Sequence, residues 1–126
     1  MSDDLTTPVG IEARLRYLVT EMTHAQLTLA AARDEEVDAK HAHQAARRRA
    51  LFSKDCPKVA RGGYTTADRD AWVEEMAAEQ QRQHDVATVR RETAQDRLRV
   101  LRDQGEIVRS LGASVRQAYG VAGSGL

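Results

Sequence analysis

Seven basic side chains fall between residues 40 and 61: Lys40, Arg47, Arg48, Arg49, Lys54, Lys58 and Arg61, against one acid, Asp55. Phe52, Tyr64 and Trp72 lie in or just beyond the same stretch. Single-stranded nucleic acid asks for this combination, with cations for its phosphates and ring faces for its bases. A structural reading competes with it. If the chain folds back after this stretch, Asp68, Asp70, Glu74 and Glu75 come across from the arginines and can neutralise them in surface pairs. The three aromatic residues would then form a small local core. Consecutive helical residues are turned by about 100° from one another, so Arg47, Arg48 and Arg49 cannot all face those carboxylates.

Other chemistries find less support. The histidines are His24, His41, His43 and His84. A metal pair on a helix prefers a spacing of four, whereas His41 and His43 are two apart and point to different faces. His43 and His84 would meet only if the helix register slipped by several residues. Cys56 is the single cysteine, which excludes a disulfide within the chain; without a positioned base it reads as an exposed loop residue. Asp34, Glu35, Glu36 and Asp38 lack the apolar concave setting that would separate their acidities, and suit a solvated helix face. No phosphate-binding glycine loop is present, since Ala60-Arg61-Gly62-Gly63-Tyr64 lacks the Lys-Ser/Thr ending. The expectation is a non-enzymatic protein with no cofactor, no metal and no small-molecule substrate.

The elements that position these residues are helices. Of 126 residues, 20 are Ala, 16 Arg and only two Pro, a helix-favouring composition, while aromatic residues make up 4%. Basic and acidic residues balance at 19 each. Thr7 and Pro8 form a cap and a first helical position. A helix is therefore expected over about 8–52, followed by a basic turn over 53–65 with Pro57 and Gly62-Gly63. Thr65 or Thr66 then caps a second helix over about 66–118, with Asp68 and Asp70 in its first turn. Residues 119–126, Tyr-Gly-Val-Ala-Gly-Ser-Gly-Leu, read as a flexible tail.

The fold class expected is all-α, one long antiparallel two-helix hairpin of coiled-coil type. Ile11, Leu15, Leu18, Met22, Ala25, Leu29 and Ala32 step by four and three, as a helix seam requires. On the second helix Ala87, Ala94, Leu101, Val108 and Val115 repeat every seven, with Leu98 and Leu111 beside them. A turn centred on its own sequence makes facing residue numbers sum to about 118, setting Leu18 against Val100 and Ile11 against Ile107. The centre of this seam is polar, and a second apolar group (Leu51, Phe52, Val59, Tyr64, Trp72, Val73, Met76) would clasp the tip. Gly105 and Gly112 mark either a close helix crossing or a tolerated kink. Two helices bury little surface, so self-association is expected. The acidic, polar opening Met-Ser-Asp-Asp and the lack of a membrane-length apolar run predict a cytosolic protein with no membrane partner.

Two stretches, Tyr64 to Glu79 and Leu98 to Gly123, resemble small helical proteins encoded by tailed phages of actinobacteria and their prophages. The shared features are an opening with a threonine, an acid and an arginine, here Thr66 with Asp68 and Arg69, and a closing pattern over Leu111 to Arg116. The resemblance covers most of the second helix and little of the first. It implies an accessory role in phage DNA recombination or replication, in the bacterial host cytosol, with DNA or a DNA-metabolism protein as partner. Alternatives in other classes are a virion or assembly component, and an inhibitor that offers a helix face to a host protein. The residues expected to act are Arg47, Arg48, Arg49, Lys54, Lys58, Arg61, Tyr64 and Trp72 at the tip. Helix packing and self-association fall to Ile11, Leu15, Leu18, Met22, Leu29, Leu98, Leu101, Val108, Leu111 and Val115.

Overall fold

The structure, a computed structural model, describes residues 4–124, with side chains as far as Val121. It is all-α: α1 (Pro8–Leu51), α2 (Thr66–Met76) and α3 (Ala78–Ser124). Thr7 starts α1, its hydroxyl accepting from the Gly10 amide at 3.1 Å. The chain before it turns tightly, so a Cβ on Gly10 would stand 1.6 Å from the Asp4 carbonyl oxygen. Thr65 starts α2 through a capping box. The Thr65 hydroxyl accepts from the Asp68 amide at 3.1 Å, and the Asp68 carboxylate accepts from the Thr65 amide at 2.9 Å.

The second half is broken where continuity was expected: Ala77 closes α2, and α3 begins at the next residue. The end also differs. α3 continues through Ser124, because no proline interrupts it and an isolated glycine costs a helix only about 1 kcal/mol. Residues 125 and 126 of the expected tail lie outside the described residues.

The chain divides into two units, one formed by α1 up to Leu29 with α3 from Thr93, the other by Ala30–Glu92. In the first, α1 and α3 pack side by side. Ile11, Leu18, Ala25 and Leu29 are buried from one helix, and Ala94, Leu98, Leu101 and Val108 from the other. Leu15, Met22 and Val115 are half-buried along the same rows. Spacings of four and three keep each row on one face.

In this unit the pairing is not the one that a symmetric turn predicts. Gly105 is nearest Met22, and Gly112 lies against Ile11, so facing numbers sum to about 123–127 rather than 118. Val100 and Ile107, expected opposite Leu18 and Ile11, are exposed instead, and Leu111 stands off the seam, 40% exposed. Gly112 is a close approach, since a Cβ there would be 2.9 Å from Ile11 Cγ2. Gly105 has ordinary room, 3.9 Å from the Met22 methyl.

The second unit has a different interior. Its buried apolar residues are Ala32, Ala46, Ala50, Cys56, Val73, Ala77 and Ala87, five of the seven being alanine. Polar side chains fill the seam positions between them. Glu36 and Arg91 meet there, with Arg91 Nε donating to Glu36 Oε1 at 3.2 Å and Nη2 donating to Oε2 at 3.3 Å. His43 and His84 stack with ring centroids 6.5 Å apart. The register slip that these histidines needed is therefore present in this unit too. His43 Nε2 and Gln80 Oε1 are buried without a hydrogen-bond partner.

A candidate nucleic-acid interface at the basic turn

The turn that closes the second unit is built by short-range geometry. The Phe52 amide donates to the Arg48 carbonyl and the Ser53 amide to the Ala50 carbonyl, which winds the end of α1 down. The Cys56 amide then donates to the Ser53 carbonyl, and Cys56 folds inward beside Ala50 and Val73, with Trp72 packed against the group. Cys56 is thus a buried member of this cluster, contrary to the exposed loop cysteine expected. Its thiol donates to the Pro57 carbonyl oxygen, at 3.8 Å.

Beyond Pro57 the chain reverses between Ala60 and Gly63. The Gly63 amide donates to the Ala60 carbonyl, and Gly62 adopts a φ of 80°, the left-handed conformation that glycine takes without strain. Arg61 lies within that turn and is exposed.

Most of the apolar group expected to clasp the tip does not. Val73 is buried and Trp72 half-buried, but Phe52 is 84% exposed and Tyr64 57% exposed, and Leu51, Val59 and Met76 also face solvent. Cys56 has taken the place expected for the rings. The compact core that would have explained the aromatic residues is therefore only Ala50, Cys56, Val73 and Trp72.

The cations are equally open. Arg47, Arg48, Arg49, Lys54, Lys58 and Arg61 are all exposed. Among the described residues none of the six enters an ion pair, so the neutralisation by Asp68, Asp70, Glu74 and Glu75 does not occur. Asp70 is engaged by its neighbour Arg69, 3.2 Å away, and Asp68 by the helix cap. Hydrogen bonds from the Thr65 amide and hydroxyl hold the Asp68 carboxyl below the usual carboxylate range. Arg48 and Arg49 do lie in the last turn of α1, where cations suit the helix dipole. That leaves Arg47, Lys54, Lys58 and Arg61 without a structural assignment.

Gln44, Arg47, Arg48, Leu51, Arg69, Asp70 and Val73 line one groove where α1 and α2 adjoin. Gln44, Leu51 and Arg69 were not among the residues expected to act here. Gln44 is one helical turn before Arg47 and Arg48, which is the signal that would have found it. The groove holds three cations, one carboxylate and an apolar floor.

Among the described residues no group of three or more His, Cys, Asp or Glu is arranged to hold a metal ion. No helix in the same range is long and apolar enough to cross a membrane. No family model matches the chain, and no curated protein or solved structure matches it either.

Proposed function

We propose that this protein is a non-catalytic helical module that contacts single-stranded nucleic acid through the basic turn of its second unit. The observation that carries this reading is the coincidence of six exposed cations free of ion pairs, among the described residues, with two exposed aromatic rings, Phe52 and Tyr64. Arg47, Arg48, Arg49, Lys54, Lys58 and Arg61 bind phosphates. Phe52 and Tyr64 offer ring faces on which bases stack without regard to sequence. Trp72 serves the turn's small core and reaches the ligand less. In this reading the protein acts in the cytosol as an accessory to phage DNA recombination or replication.

The test is binding of a fluorescent single-stranded oligonucleotide by the purified protein. Phe52→Ala should cost about 1–3 kcal/mol of binding and leave the salt dependence unchanged, because stacking is not ionic. Arg47→Ala/Arg48→Ala/Arg49→Ala should weaken binding to every sequence alike and flatten the salt dependence. Unchanged affinity in both variants would move the site away from this turn.

A further inference from the structure

We infer that the groove where α1 and α2 adjoin holds the terminal phosphate of a strand, a phosphate monoester, while the cations outside it follow the backbone. The inference rests on the nucleic-acid reading and adds to it the part of the ligand that is recognised, the strand end. The six exposed cations of the turn are not equivalent. Arg47 and Arg48 line the groove, whereas Arg49, Lys54, Lys58 and Arg61 lie outside it. α2 adds Arg69, Asp70 and Val73 to the lining. The groove has a volume of about 540 Å³, within the range of small-molecule sites.

The charge left in the groove indicates the occupant. Arg69 Nε and Nη2 both donate to Asp70 Oδ1, at 3.3 and 3.2 Å, so these two neighbours cancel one another. Arg47 and Arg48 enter no ion pair among the described residues, and two positive charges remain uncompensated. A backbone diester carries a single negative charge. A terminal monoester carries about −1.5 to −2 at pH 7, on three acceptor oxygens. Two guanidinium groups on one concave surface match that charge, and each can donate a pair of parallel hydrogen bonds to phosphate oxygens. Cations spread over a convex surface suit the diesters that follow. Val73, which is buried, and Leu51 give the sugar and base of the end nucleotide an apolar floor. A free nucleotide shares this phosphate chemistry but lacks the strand that Arg49, Lys54, Lys58 and Arg61 would hold.

Fluorescence anisotropy of the full chain with one internally labelled DNA oligonucleotide tests this, the strand bearing a 5′-phosphate, a 3′-phosphate or hydroxyls at both ends. A phosphate at one of the two ends should tighten binding at least tenfold over the hydroxyl-ended strand. Arg47→Gln and Arg48→Gln should each cut that preference to below threefold. Arg49→Gln makes the same charge change one residue away and should weaken both strands while keeping the preference. Asp70→Asn removes the opposing carboxylate and should raise the preference, a gain that misfolding cannot imitate. A nucleoside 5′-monophosphate should compete at least a hundredfold less well than the phosphorylated strand. Equal affinity for phosphate-ended and hydroxyl-ended strands would overturn the inference and leave the nucleic-acid reading standing. A preference that Arg49→Gln abolishes as fully as Arg48→Gln would do the same. Equal competition by the free nucleotide would overturn the strand end as occupant, and binding of no strand at all would remove the reading and the inference together.

Discussion

Glu36 and Arg91 occupy seam positions that leucine would fill in a uniform coiled coil, and both are half-buried. Hydrogen bonds from Arg91, and then from Thr88, hold the Glu36 carboxyl below its ordinary range. A carboxyl whose acidity is strengthened by folding contributes stability that is fully present above its unfolded value. That contribution is lost as pH falls through the lower folded value. Thermal unfolding followed by circular dichroism should therefore show a midpoint that declines as pH drops below about 4, and Glu36→Gln should blunt the decline. Arg91→Ala alone should lower the midpoint at neutral pH, because it strands a carboxylate in the seam. Glu36→Leu/Arg91→Leu should restore or raise it. The two glycines of α3 give a second contrast at this scale. Gly105→Ala should stabilise by about 1 kcal/mol in urea unfolding, since the methyl has room and alanine favours helix. Gly112→Ala should gain nothing or lose stability, since its methyl meets Ile11. Sequence spacing singled out both glycines but does not separate them; the distance to the facing side chain does.

At the level of elements, the caps were the most legible feature. Thr7 before Pro8, and Thr65 three residues before Asp68, each announce a helix start, because the orphan amides there need an oxygen at that spacing. Thr65→Ala should cost about 1 kcal/mol and fray the first turn of α2, read as faster amide exchange at Asp68 and Arg69. The four-and-three rows were legible too, and they define both helices of the first unit. Register was not, since the number of residues a turn consumes on each side depends on how it folds. Here Cys56 turns inward against Ala50 and Val73, which no periodicity encodes. The break at Ala77 was equally hidden, as the sequence around it is alanine-rich and free of glycine and proline. The units also differ in what fills them, leucine in the first and mostly alanine with polar pairs in the second. Buried area sets local stability. Hydrogen exchange should therefore find the α1 and α3 amides of the first unit protected longer than those of Ala30–Glu92. Equal protection would show that the polar pairs compensate for the missing leucines.

For the whole molecule, 19 basic and 19 acidic residues cancel, and nothing in the overall charge suggests a polyanion as partner. The distribution does: seven of the basic residues fall between Lys40 and Arg61. A neutral molecule with a local cationic surface binds nucleic acid by counterion release at that surface alone. The position of this patch was legible in the sequence. Its freedom from ion pairs among the described residues, and the exposure of Phe52 and Tyr64, were not, because both depend on how the turn between α1 and α2 packs. The most direct measurement of the central claim is the affinity for a labelled single-stranded DNA oligonucleotide across a salt series, wild type beside Arg47→Ala/Arg48→Ala/Arg49→Ala. The account predicts that log affinity falls linearly with log salt, and that the triple variant binds at least tenfold more weakly with a shallower slope. No binding at low salt by a folded protein, or equal binding by the two proteins, would contradict it.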